Sequence, residues 1–107
     1  MRFIDKVHKE ELHVSVDNLD FKNATTNGLD FSIPIQGYDK HLLVDNNIMF
    51  TPKMECSSNL FDIDDDYYFV RIGLDEIRII RKWLFNHIRD LSPDFDTSVF
   101  DKSEFEY

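Results

Sequence analysis

The side chains with the clearest chemical potential form one burst of carboxylates: Asp62, Asp64, Asp65 and Asp66. The first, third and fifth positions of this burst have the spacing of the first oxygen ligands in a calcium-binding loop. The match then fails, because Tyr67 and Gly73 stand where such a loop needs a glycine and a bidentate glutamate. The burst therefore indicates a solvated turn or an acidic patch for a partner, with a small metal-binding domain or enzyme as an alternative.

The cysteine, serine and histidine residues form no pattern typical of catalysis or of a zinc site. Cys56 precedes Ser57 and Ser58 without the strand-turn-helix motif that exposes a nucleophile. His8 and His13 lack the i, i+4 spacing of zinc-binding helices, and one cysteine cannot build a thiolate site. Three scattered glycines supply no phosphate-binding loop. We therefore expect no enzyme activity, no metal and no cofactor.

A second acidic segment, residues 92–107, alternates carboxylates with aromatic rings. Its predicted partner-binding residues are Asp94, Phe95, Asp96, Asp101, Glu104, Phe105, Glu106 and Tyr107. In such a surface the acids steer a basic partner and the buried rings hold it. The alternative is that the rings fold back and complete the core. Ser92 and Pro93 could also begin a second short helix there.

The negative charge is concentrated in the second half of the chain. Residues 55–107 carry thirteen acidic side chains against six basic ones, which is −7 of the total net charge of −9. Phosphate groups are bound by positive surfaces, so this charge disfavours direct contact with nucleic acid or an anionic membrane. It favours a basic protein as the partner.

Length and composition predict one folded domain over residues 1–107, with 92–107 as its acidic aromatic C-terminal segment. A chain of 107 residues with 42% hydrophobic side chains and fifteen aromatic rings can fill an ordinary core. The lone Cys56 cannot form an internal disulfide, and the start Met1–Asp5 lacks the apolar run of a signal peptide. No window is apolar enough to span a membrane. These features predict a cytoplasmic protein.

Period-two alternation predicts short strands over 12–16, 29–33 and 67–72, the last at the centre of a sheet. A further edge strand is predicted over 2–7. The strongest predicted hairpin joins 41–44 to 48–50 through three residues that tolerate left-handed backbone, Asp45, Asn46 and Asn47. Pro34 lacks a backbone donor, which predicts an edge position or a bulge, and Gly37 then begins a turn.

A single amphipathic helix is predicted from about Asp75 to Leu91, after Gly73 and before Ser92-Pro93. Its apolar positions keep to one face: Ile77, Ile80, Leu84, Ile88 and Leu91. Its basic residues are predicted to lie away from that stripe, where internal ion pairs could anchor the acidic segments: Arg78, Arg81, Lys82 and Arg89. Ile79 and Trp83 widen the apolar surface to a second side.

The predicted fold is α+β: an antiparallel sheet of five or six short strands, packed by one C-terminal amphipathic helix, with the acidic aromatic tail nearby. An all-β barrel capped by that helix is the nearest alternative. The predicted function is a small acidic inhibitor, an immunity protein or antitoxin that neutralises a basic nuclease toxin by covering its substrate-binding surface. The alternative is a phage-type mimic of nucleic acid that blocks a host defence or transcription protein.

Overall fold

The computed structural model describes residues 1–27, 30–51, 60–63, 67–91 and 98. Within these residues, seven short strands and one long helix follow one another: β1 Arg2–Asp5, β2 Glu11–His13, β3 Thr25–Asn27, β4 Asp30–Ile35, β5 Lys40–Val44, β6 Phe61–Ile63, β7 Tyr67–Arg71 and α1 Leu74–Leu91. Short 3₁₀ helices occupy Val16–Asn18, Phe21–Asn23 and Asn46–Met49. Among the described residues, no helix is long and apolar enough to cross a membrane.

The α+β class with antiparallel strands and one C-terminal helix is confirmed. The strands are divided between two sheets, however, rather than forming the single sheet that we expected. One sheet has the order β2-β1-β7 and the other has the order β3-β4-β5-β6, and every described pairing is antiparallel. The division leaves each sheet with few strands, so both depend on packing against other elements for stability.

In the three-stranded sheet β1 is the central strand and β7 an edge strand, which is the reverse of the sequence prediction. The strand predicted over 67–72 was expected at a centre, but β7 pairs only with β1 among the described residues. The strand predicted over 2–7 was expected at an edge, but β1 pairs on both sides. Phe3 in β1 is fully buried, which agrees with its central place. Hydrophobic runs show burial, but they do not show which strand supplies each hydrogen-bonding partner.

The predicted hairpin across Asp45-Asn46-Asn47 is wrong. After β5 the chain enters the 3₁₀ helix Asn46–Met49, because the Asp45 carboxylate accepts a hydrogen bond from the backbone N–H of Asn47 at 2.9 Å. Aspartate side chains cap helices in this way as readily as they occupy turns. The turn that does join two paired strands, β4 and β5, contains Gly37 with a positive φ of 85°, as expected for that glycine.

Pro34 lies inside β4 but at a position where its missing donor costs little. It pairs with His41 of β5, while its carbonyl faces the other way and accepts a hydrogen bond from Asp20 at 2.8 Å. Strand β3 has already ended there, since it pairs only with residues 30–32. Because β4 pairs with both β3 and β5 and continues to Ile35 without a bulge, the prediction that Pro34 places its strand at an edge or ends it is wrong.

The core is one cluster to which both sheets and the helix contribute. Strand β1 supplies Phe3, the four-stranded sheet supplies Ile33, Leu42 and Ile63, and α1 supplies a stripe of apolar side chains. That stripe consists of Ile77, Ile80, Leu84 and Ile88. The helix prediction is thus confirmed to within one residue at its start.

A second side of α1 is covered by an aromatic stack. The Trp83 ring stacks against both Phe21 and His87, with ring-centroid distances of 4.9 Å and 4.5 Å. Phe21 belongs to the 3₁₀ helix Phe21–Asn23, so this short element holds the half-buried Trp83 against the body of the protein. Ile79, the other residue of this second apolar side, remains 46% exposed. The second side is therefore covered at Trp83 but not at Ile79.

The loop between β1 and β2 is held by one carboxylate. Oδ1 of Asp5 accepts hydrogen bonds from the backbone N–H groups of His8 at 2.8 Å and Val7 at 2.7 Å. The bond from His8, followed by the bond from Val7, lowers the pKa of Asp5 below its ordinary value of 3.8. The ionised form of Asp5 is therefore the form that stabilises the folded loop.

We expect Asp5→Ala to lower the urea midpoint near pH 7, and we expect this deficit to shrink at acid pH. Because the folded-state pKa is depressed, the contribution of Asp5 is present above the unfolded-state pKa and is lost as pH falls through the folded-state value. Equilibrium unfolding at neutral pH and at steps below about pH 4 measures the deficit. The exposed Asp39→Ala serves as the control. A deficit that stays constant across these pH values would contradict the role of the Asp5 charge.

Candidate functional site

Asp62 is the one predicted partner-binding residue that lies in the described part of the chain. The remaining residues of the acidic burst, Asp64, Asp65 and Asp66, lie outside it. So do the predicted tail residues: Asp94, Phe95, Asp96, Asp101, Glu104, Phe105, Glu106 and Tyr107. Cys56, Ser57 and Ser58 also fall outside the described residues. The site is therefore built outward from Asp62.

Asp62 is placed by the alternation of β6. Its neighbours Phe61 and Ile63 are 4% and 0% exposed and enter the core, so the half-buried Asp62 lies on the other face of the strand. It stands opposite Leu43 in the β5–β6 ladder. One carboxylate oxygen, Oδ1, accepts a hydrogen bond from the backbone N–H of Ile63 at 2.8 Å. The second oxygen has no hydrogen-bond partner within the described residues.

Two further aspartates join Asp62 around one groove, which we call the acidic groove. Asp30 begins β4 and Asp45 follows β5, and the register that pairs Phe31 with Val44 brings both to the same end of the sheet. The groove has a volume of about 260 Å³. Its remaining lining residues are Leu43, Val44, Leu60 and Phe61. Val44 and Phe61 are buried, so Leu43 and Leu60 provide the accessible apolar side chains. The acidic groove thus combines three carboxylates with two half-buried leucines, Leu43 and Leu60.

Each carboxylate of the acidic groove already has a structural contact with a backbone N–H group. Asp45 caps the 3₁₀ helix through Asn47, and Oδ1 of Asp30 accepts a hydrogen bond from the backbone N–H of Asn46 at 3.2 Å. Neither of these aspartates nor Asp62 forms an ion pair with another described residue. The three negative charges are therefore oriented by the fold and are not neutralised by a described basic side chain.

The chemistry of the acidic groove suits a lysine or arginine side chain. Such side chains lay their methylene stem along apolar surface and place the charged head among acceptors. Within the described ranges, no three His, Cys, Asp or Glu side chains converge closely enough to hold a metal ion. The calcium-like spacing that begins at Asp62 continues into residues 64–66, so the metal alternative stays a prediction.

Sequence reasoning identified Asp62 but missed Asp30 and Asp45. Asp30 alternates with the apolar Phe31 in a predicted strand, which was a signal that its side chain lies on the outer face. Asp45 was assigned to a turn, and nothing local places it beside Asp62. Only the pairing of β4 with β5 and of β5 with β6 brings the three together.

The basic residues of α1 have different environments. Arg78 is exposed and approaches Asp75 at 3.3 Å, as an ion pair along the helix surface. Arg81, in contrast, is only 1% exposed, so the prediction that it lies away from the apolar stripe is wrong. Its Nε donates to the carbonyl of Ile48 at 3.1 Å and its Nη2 to the carbonyl of Thr51 at 2.8 Å. Arg81 therefore links α1 to residues 48–51, which follow Asp45 of the acidic groove in sequence.

Comparisons with protein-family models, with curated proteins and with solved structures gave no match. No relative therefore contributes a ligand, a reaction or a partner to the interpretation of this site. The functional interpretation depends on the charge of the chain and on the geometry of the acidic groove.

Proposed function

We propose that this protein is an acidic inhibitor of the immunity-protein or antitoxin kind. It acts in the cytoplasm by binding a basic nuclease toxin and covering that toxin's substrate-binding surface. The observation that supports the proposal most strongly is the acidic groove, in which three carboxylates lie beside two half-buried leucines and form no ion pair with a described basic residue.

The acidic groove provides a specific contact for one basic side chain of the toxin. Asp30, Asp45 and Asp62 each have one oxygen engaged by a backbone N–H, which fixes the carboxylates before a partner arrives. Preorganised groups of this kind lose little entropy on binding. Hydrogen bonds between a charged donor and a carboxylate contribute about 1.5–3 kcal/mol each. One arginine in the groove would therefore contribute strongly to affinity.

The overall charge provides the long-range part of the interaction. A net charge of −9 on 107 residues attracts a basic protein. At physiological salt this attraction extends over about 8–10 Å, the Debye length, beyond which exposed charges are largely screened. Complementary charge of this kind raises association rates by orders of magnitude at low ionic strength. Fast association matters for an inhibitor that has to act before its target damages the cell.

The link to nucleases follows from how proteins bind nucleic acid. A nuclease contacts the phosphate backbone through lysine and arginine side chains, which form a positive surface. An acidic domain that occupies this surface excludes the substrate by simple competition. A contact that combines carboxylates with apolar area suits a dedicated protein partner, because apolar area adds affinity that phosphate mimicry alone lacks.

We expect the immobilised protein to retain a basic protein when a lysate of its own organism, or the product of a neighbouring gene, is passed over it. The partner should elute late in a salt gradient, in stoichiometric amount, because charge pairs weaken as salt rises. A folded protein of similar size and negative charge on a parallel column is the control for simple ion exchange. An empty column at low salt, or equal retention on both columns, would contradict the proposal.

A further inference from the structure

A cavity of about 300 Å³, lined mainly by basic side chains, lies where the three-stranded sheet meets the start of α1. Its lining residues are Met1, Arg2, His13, Arg71, Gly73 and Glu76. Basic side chains outnumber acidic ones here, although the protein as a whole is strongly acidic. We call this feature the basic cavity, and its residues take no part in the acidic groove.

Strand register places three basic side chains in one row across the sheet. Arg2 of β1 stands opposite His13 of β2 on one side and opposite Arg71 of β7 on the other. Residues directly opposite in antiparallel strands share a face of the sheet, and like charges in such positions destabilise the pairing. A row of this kind becomes favourable when an anion lies between the charges.

A β-bulge creates this row. Over residues 3–5 of β1, the register pairs Phe3 with Phe69 and continues regularly from there to Asp5. If the same register extended to Arg2, Val70 would stand opposite Arg2. The register shifts between Arg2 and Phe3, so Arg71 takes that position instead. Bulges re-aim side chains and are common beside binding sites. Here the shift brings two guanidinium groups to one face.

The donors of the basic cavity are only partly satisfied by the protein. Nε of Arg2 is buried and has no hydrogen-bond partner among the described residues. Arg71 is exposed and has no ion pair with any residue in the described ranges. Buried donors without partners are rare in folded proteins and call for a ligand, water or ion.

The two nearby carboxylates offset the charge of the basic cavity only in part. Both oxygens of Glu76 are in use, since Oε2 accepts from the Met1 amino group at 2.8 Å and Oε1 accepts from the Gly73 N–H at 3.0 Å. Glu11 is about half exposed, approaches Arg2 no closer than 3.9 Å, and lies 3.2 Å from His13. Gly73 also directly precedes α1, so the positive end of the helix dipole adds to the field.

We propose that the basic cavity binds a doubly charged oxyanion, a phosphate group that is either free or carried as a monoester on a small molecule. Two guanidinium forks on one face match the oxygens of a phosphate, which arginine binds in bidentate fashion. The inference does not depend on the proposed inhibitory function, because it uses a different face of the protein and a ligand of opposite charge.

The test is an NMR titration of the full chain with inorganic phosphate, at an ionic strength held constant with sodium chloride. We expect saturable amide shifts at Arg2, His13, Arg71 and Gly73. Arg71→Gln should weaken binding by about tenfold or more, because it removes one charged hydrogen-bonding group. Arg78→Gln, which removes the same charge from the helix surface, should leave the affinity within about twofold.

Further titrations identify the ligand, and a melting experiment provides a second readout. Tighter binding of phenyl phosphate than of inorganic phosphate would assign the site to monoesters, while equal binding would assign it to free phosphate. Phosphate should raise the melting temperature of the unmodified protein more than that of Arg71→Gln, since a ligand stabilises the state that binds it. Shifts that do not saturate, equal effects of Arg71→Gln and Arg78→Gln, or acetate binding as tight as phosphate binding would overturn the proposal.

Discussion

Arg81→Ala is expected to destabilise the folded protein by about 2–4 kcal/mol. The substitution removes a fully buried side chain and leaves the carbonyl groups of Ile48 and Thr51 without the donors at 3.1 Å and 2.8 Å. Each carbonyl that loses its donor costs roughly 1–3 kcal/mol. Small domains are stable by only about 5–15 kcal/mol, so the loss is large. Urea unfolding followed by far-ultraviolet circular dichroism measures it.

Two further variants separate the causes of this loss. Arg81→Met fills most of the same space but provides no donor, so it should retain most of the destabilisation if the hydrogen bonds matter more than packing. Arg78→Ala, on the exposed side of the same helix, should change stability by no more than about 0.5 kcal/mol. Full recovery in Arg81→Met would show that Arg81 acts through its volume and would contradict the account of its hydrogen bonds.

The second large effect is expected on binding. A variant that converts all three carboxylates of the acidic groove to amides should bind the basic partner about 10- to 100-fold more weakly, since a charge-assisted contact contributes more than a neutral one. It carries Asp30→Asn, Asp45→Asn and Asp62→Asn. Asparagine keeps an oxygen that can accept the same backbone N–H bonds, and it is a good cap for the 3₁₀ helix at Asn46–Met49. The fold should therefore survive while the charge is lost. Association and dissociation rates at several salt concentrations measure the effect.

A control with the same net charge separates the groove from the overall field. It carries three substitutions at exposed aspartates elsewhere: Asp17→Asn, Asp39→Asn and Asp90→Asn. Both variants should lose some association rate through the weaker field, but only the groove variant should also dissociate faster. Equal losses in the two variants would mean that net charge alone accounts for binding and that the acidic groove is not the contact.

The long helix could be predicted from sequence because its signal is local. Apolar side chains at spacings of three and four, acids in the first turn and a proline after the end all lie within one segment, and α1 follows them closely. The burial of Arg81 could not be predicted in the same way. Its partners, Ile48 and Thr51, lie 33 and 30 residues away in sequence, and only tertiary packing brings their carbonyls to the guanidinium.

The strands show the limit of pattern reasoning more clearly. Alternation located the strands near Asp30 and Tyr67, but it did not show that β1 pairs on both sides or that two sheets form. Asp45 was expected in a hairpin turn because its neighbours tolerate left-handed backbone, but its side chain instead caps a 3₁₀ helix. Both outcomes are compatible with the same short polar sequence, and packing of the buried Ile48 and Met49 favours the helix.

The two proposed sites could be predicted from the sequence to different degrees. Asp62 was identified because it belongs to a conspicuous burst of acids, but the contribution of Asp30 and Asp45 depends on strand register. Nothing in the sequence indicated the basic cavity. Arg2, His13 and Arg71 are far apart along the chain, and a bulge of one residue decides whether Arg71 or Val70 stands opposite Arg2. Chemistry that depends on register is visible only once the strands are paired.

We propose that this protein inhibits a basic nuclease by covering its substrate-binding surface. The most direct measurement is the nuclease activity of the captured partner, titrated with the full chain at fixed substrate concentration. The account predicts that activity falls linearly to near zero at one equivalent, that excess nucleic acid competes with inhibition, and that the groove variant inhibits far less than its charge-matched control. A partner that keeps full activity on its substrate when saturated with this protein would contradict the account.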